Sequence, residues 1–148
     1  MDRQEIDMVS WFHGKQIQGF CSEIYNMRIA FVRLENQNDN HNKFYEMLIA
    51  QENMGRCDVV IHYGRIGTQG KTIYLRGADL PHGDAHEISL QTAKRAFLEQ
   101  LKKKFKDKEY TLIDLTTNDK SLKVEIEELQ CQFEDFSKVA VRLEDRGF

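Results

Sequence analysis

Between residues 27 and 76 the chain repeats one pattern four times, an extended segment closed by turn formers, and changes to a helical period only after Ser89. Residues 27–34 alternate well enough for a strand, and residues 36–42 behind them are a polar loop dense in asparagine. Residues 44–50 read as a second strand, with Asn53, Met54, Gly55 and Arg56 as a hairpin turn. In residues 57–63 Val59, Ile61 and Tyr63 alternate with Asp58, Val60 and His62, the two-residue period of a third strand. A fourth runs from Lys71 to Arg76 with its apolar centre at residues 73–75. Short strands joined by tight turns dictate antiparallel pairing, because a parallel neighbour needs a long crossover.

From Ser89 to about Phe105 the apolar residues Leu90, Ala93, Phe97, Leu101 and Phe105 recur at helical spacing, a stripe suited to covering one sheet face. Pro81 and Gly83 mark the preceding residues 80–87 as a loop, and residues 110–114 read as a closing strand. Farther on, Leu122, Ile126, Leu129, Phe133, Phe136, Ala140 and Leu143 follow spacings of four and three, a heptad seam with acidic outer faces at Glu125, Glu127, Glu128, Glu134 and Asp135. That seam fits a helix docked on its own domain. It also fits a dimerisation or partner-binding helix making contact through Leu122, Ile126, Leu129, Phe133 and Phe136. A short strand through Leu122, Val124 and Ile126 is a third reading.

The expected fold class is α+β: an antiparallel sheet of about five strands packed against one long helix, with an additional C-terminal amphipathic helix. Three stretches follow: residues 1–26 as an extension packed on the core, 27–114 as the central domain, and 115–148 as a helical extension. In the first, Ile6, Val9, Trp11, Phe12, Ile17, Phe20, Ile24 and Tyr25 are apolar, but Gly14 and Gly19 break any long period.

A chain of 148 residues, 41% hydrophobic, can bury one core. No apolar run is long enough for a signal sequence or a membrane span. Cys21, Cys57 and Cys131, odd in number and far apart, read as free thiols in a reducing cytoplasm. The net charge of −3 hides an asymmetry. Residues 28–110 hold 14 Lys and Arg against 11 Asp and Glu, whereas residues 1–27 hold 2 against 4 and residues 111–148 hold 5 against 9. The centre is mildly basic between acidic flanks, so binding to a polyanion would rest on few contacts.

Catalytic constellations are weak. His82 and His86 stand four apart, yet Pro81 and Gly83 deny them a helix, no third ligand is near, and solvated loop histidines are the better reading. Cys57, Asp58 and His62 lie in one strand and cannot converge on a substrate. No phosphate-binding Walker loop or dinucleotide fingerprint occurs, and no cofactor, metal or enzyme activity is expected. Phe44 and Tyr45 belong to opposite faces of their strand, so at least one is core, and His62 faces away from Tyr63.

The most specific stretch is Tyr63-Gly64-Arg65-Ile66-Gly67, ending one strand, with Asn42-Lys43-Phe44-Tyr45 opening the strand before it and Gly70-Lys71 in the turn after it. An aromatic ring and a guanidinium at a strand-to-turn junction can stack on a sugar or base and grip a phosphate. This arrangement, followed by one long helix, resembles the WGR domain, named for Trp-Gly-Arg and found in DNA-dependent poly(ADP-ribose) polymerases and in assorted bacterial proteins, with tyrosine here in place of tryptophan. In those polymerases the signature aromatic stacks against the sugar near a DNA end and the arginine meets the backbone. The resemblance implies that Tyr63 stacks, that Arg65 contacts phosphate or sugar, and that Asn42 bonds near a terminal phosphate. Lys43 and Lys71 would add phosphate contacts. The helix's last turn and exit carry Lys102, Lys103, Lys104, Lys106 and Lys108, of which Lys102 and Lys103 are further candidates, although cations there also suit the helix dipole. A phenol offers less stacking area than an indole, which tempers the expectation.

The implied function is a free-standing module for DNA ends, nicks or structured nucleic acid (DNA or structured RNA). It would serve as a sensing or adaptor subunit of a larger bacterial or phage system, with a protein partner or homodimer formed through the C-terminal helix. The alternative is a regulatory subunit that uses that helix with little direct nucleic-acid binding.

Overall fold

The computed structural model describes residues 25–37, 42–52, 55–107 and 110–133. Expectations for residues 1–24, for Asn53 and Met54 in the hairpin turn, for Lys108, and for Phe136, Ala140 and Leu143 fall outside the described residues. Among the described residues five strands appear: β1 Tyr25–Asn36, β2 Lys43–Glu52, β3 Cys57–Arg65, β4 Lys71–Tyr74 and β5 Thr111–Thr117. Two helices among the same residues accompany them, α1 Leu90–Lys106 and α2 Lys120–Phe133. The sheet is antiparallel throughout, in the order β4-β3-β2-β1-β5. β1 and β5 are longer than their sequence patterns implied, because each continues through a bulge that offsets the alternation.

Backbone alternation gives the sheet two faces. On one, Val32, Leu34, Tyr45, Met47, Ile49, Val59 and Ile61 meet Ala93, Phe97, Leu101 and Phe105 of α1. Phe97 is fully buried, and truncating such a ring costs about 3–5 kcal/mol. α1 starts where Ser89 Oγ accepts the amide of Thr92 (3.1 Å), and its lysine-rich last turn suits the dipole.

Of the readings open for the C-terminal seam, the structure shows the helix docked on its own domain. α2 belongs to the same core: Leu122 and Ile126 are fully buried in it, and Leu129 and Phe133 pack against it. β5, Thr111–Thr117, leads into α2 through residues 118 and 119. The α2 cap explains the docking. Asp119 accepts the amide of Leu122 (3.0 Å) and pairs with Lys94 of α1, tying the two helices together. The strand reading of residues 122–126 is excluded by the helix.

The second sheet face carries an apolar row, Phe31, Leu48 and Val60, beside a charged row, Arg33, Glu46 and His62, each row in direct cross-strand register. Leu48 and Val60 are buried although neither helix packs on that side. Phe44 and Tyr45 divide between the faces as alternation requires, and both are buried.

Candidate functional site

The tip of the sheet is built from the β3–β4 turn. Ile66 donates its amide to the carbonyl of Asn42 (2.9 Å), and Thr68 donates both its amide and its hydroxyl to the carbonyl of Arg65 (3.0 and 2.7 Å). Gly70 has a φ of +71°, and a Cβ there would lie 2.5 Å from the carbonyl oxygen of Tyr63 and 2.8 Å from the Phe44 ring. Gly64 leaves room for Gly70 in turn, since a Cβ on it would stand 2.8 Å from the Gly70 Cα. No side chain fits at either position without displacing backbone.

His62 secures the turn from below. Its Nε2 donates to the carbonyl of Gln69 (2.5 Å), its Nδ1 lies 2.8 Å from Glu46 Oε1, and Arg33 donates to the other oxygen of Glu46 (3.0 Å). The ring of Phe44 sits edge-on to His62 and beneath the Arg33 guanidinium. The second face thus braces the signature turn.

On the helix-side face, Lys43 is the register partner of Arg65, and Tyr63 stands between Tyr45 and Lys71. Lys43, Arg65 and Lys71 are exposed, and among the described residues none of the three makes an ion pair. Tyr63 is 37% exposed. Asn42 is exposed beside them and uses its carbonyl to hold Ile66. Like charges placed directly opposite in a sheet destabilise it, so this patch is costly to the fold unless an anion occupies it.

The helix lysines divide. Lys104 turns inward, with its Nζ 4.2 Å from the centre of the Tyr45 ring and 5.0 Å from that of Tyr110. Burial lowers the pKa of its ammonium, Asp107 opposes that, and Lys43 adds to the lowering. Lys104 therefore joins the patch and was missed as a site residue. The signal was present in the sequence, since position 104 lies seven residues after Phe97 on the apolar stripe. Lys102 is two residues away, about 200° around the helix by its periodicity, and points elsewhere. Lys103 lines a cleft on the β4 side of α1.

Other candidates resolve locally. His82 is exposed, but His86 is no free loop residue: Asp58 Oδ1 lies 3.0 Å from its Nδ1 and also accepts the amide of Glu87, while Tyr74 stacks on its ring. Among the described residues no cluster of His, Cys, Asp and Glu is arranged to hold a metal. Cys57 is buried on the helix side, its thiol pushed up to about 11 by burial, while Asp58 and His62 belong to the opposite face. Cys131 is exposed. Leu122 and Ile126, expected at a partner surface, are enclosed in the chain's own core and are not accessible to one; apolar burial within the domain outcompetes a seam left open. No helix among the described residues is long and apolar enough to cross a membrane.

A family model of the WGR domain matches residues 27–114, more than half of the chain. Neither a curated protein nor a solved structure gives a significant match.

Proposed function

We propose, from the premise that this chain belongs to the WGR domain family, a module of nucleic-acid-binding type, that it binds DNA ends, nicks or structured nucleic acid at the sheet tip. Tyr63 offers the stacking surface. Lys43, Arg65 and Lys71 take phosphate oxygens, Asn42 bonds near a terminal phosphate, and Lys104 adds positive potential from the helix. The observation that carries this reading is the unneutralised pair Lys43 and Arg65 in direct register beside an exposed aromatic. A charge-assisted fork on phosphate would turn that repulsion into attraction.

The reading assigns binding rather than catalysis, in a sensing or adaptor role within a larger bacterial or phage system. Fluorescence anisotropy at low salt with blunt 5′-phosphorylated, nicked and single-stranded probes tests the binding. Affinity should fall with salt along a shallow slope, since the contacts are few, and Arg65→Ala should weaken it. If the wild-type chain ignores all three probes, the reading is wrong. Pull-down of the tagged protein with and without nuclease tests the adaptor role: partners held through nucleic acid are lost on digestion, and directly held ones stay.

A further inference from the structure

The exposed surface does not stop at Tyr63. Two residues along the same face of β4 from Lys71, Ile73 stands opposite Ile61 and is 39% exposed, uncovered by α1. Two residues farther, at Leu75, the face opens into a cleft of about 220 Å³ between residues 75–80 and α1. Leu75, Leu80 and Ala96 supply apolar lining, and Arg76, Arg95 and Lys103 contribute three cations. Among the described residues none of those cations makes an ion pair. Gln100, also on the cleft wall, donates to Tyr45 Oη (2.8 Å), and Tyr45 is the register partner of Tyr63. One hydrogen bond and one register pair therefore link the cleft wall to the signature patch.

Resting on the reading above, we infer that the cleft receives the single-stranded continuation of the nucleic acid whose end stacks on Tyr63. Lys71 to Leu75 is four residue steps of extended chain, about 13 Å, the length of roughly four stacked nucleotides at about 3.4 Å each. The preferred ligand is thus an end bearing an overhang of about four nucleotides. Asp79 and Glu99 also line the cleft, so its charge is mixed. Carboxylates repel bare phosphate but accept from the exocyclic amino groups of cytosine and adenine. A cleft with both signs and an apolar lining suits an unstacked nucleotide, phosphate on the cations and base against Leu75 and Ala96.

The test is anisotropy of the full chain with one duplex made blunt, with two-nucleotide overhangs, and with four-nucleotide overhangs of either polarity. One polarity of the longer overhang should bind about tenfold tighter than the blunt end, the scale of one or two added charge-assisted contacts. The double substitution Arg76→Gln, Arg95→Gln should bring that ligand to the blunt value and leave blunt binding unchanged; the double substitution Lys120→Gln, Lys123→Gln at exposed positions of α2 is the charge-matched control. Equal affinity for blunt and overhung ends, or an advantage that survives the double substitution, overturns the cleft while leaving the sheet-tip site standing. Failure of every probe removes both. Should the double substitution spare all DNA affinities yet release a co-purifying protein, the cleft is a protein site and the inference is wrong.

Discussion

Lys43 of β2 and Arg65 of β3 are direct register partners, two exposed cations on one face with no carboxylate paired to either among the described residues. A like-charged pair of this kind costs the sheet about 0.2–1 kcal/mol, and losing one charged contact to phosphate costs about 1.5–3 kcal/mol of binding. Arg65→Ala should therefore leave the protein as stable as wild type or slightly more stable at low salt, while weakening DNA binding about tenfold or more. Thermal melts and anisotropy on the same sample check both signs. A loss of stability would mean that Arg65 serves the fold.

Tyr63→Ala should cost about 1–3 kcal/mol of binding if the ring stacks on a sugar or base. Tyr63→Trp, with its larger face, should bind at least as tightly as wild type. Unchanged affinity of Tyr63→Ala for every probe would remove the stacking role.

The turn glycines should rank by what surrounds them. Gly67, at φ +92° with nothing near a built Cβ, meets only the backbone strain of a positive φ on Gly67→Ala, about 1–2 kcal/mol. Gly70→Ala adds a clash with the Tyr63 carbonyl to a positive φ, so its loss should be clearly larger and should disturb the site as well. Chemical denaturation of the two variants gives the order directly; equal losses would show that the turn shifts freely.

Leu122→Ala should destabilise the chain by about 2–5 kcal/mol, the cost of emptying a buried leucine site. Its oligomeric state by light scattering should be the same as that of wild type. A variant that keeps its stability but dissociates would return Leu122 to an interface.

Asp119 gives the fold an acid limb. Its carboxyl is held at about 2, first by the bond from Lys94 and then by the amide of Leu122. A folded value below the unfolded one, about 3.9, means that the ionised form favours the native state. That contribution is complete above about pH 4 and is lost as pH falls toward 2. Asp119→Asn keeps a capping oxygen but no charge. It should melt lower than wild type at pH 7 by an amount equivalent to about 0.5–1 kcal/mol, the pair being partly solvated, and the two curves should converge near pH 2. Parallel curves across that range would show that the carboxylate is not what Lys94 holds.

Much of this architecture was readable locally. Alternation and turn formers located β2 and β3 closely because each depends on neighbours a few residues away, as does the stripe from Leu90 to Phe105. The β5 bulge and the length of β1 were not readable, since they are set by cross-strand pairing. The candidate residues could be named from the motif, but their grouping could not. Lys102 and Lys103 look equivalent in sequence, yet a helix turns them to different sides.

By itself, the order of residues determined the antiparallel strands, the glycine turn that only unsubstituted backbone can make, and the family signature around Tyr63 and Arg65. Tertiary structure alone decided that Lys43 would confront Arg65, that Gln100 would reach Tyr45 from 55 residues away, and that the seam of α2 would close on its own sheet. The physical reason is range. Backbone preference and side-chain period act over one turn or one strand, whereas register, burial and the convergence of unpaired charge exist only once distant segments share a core.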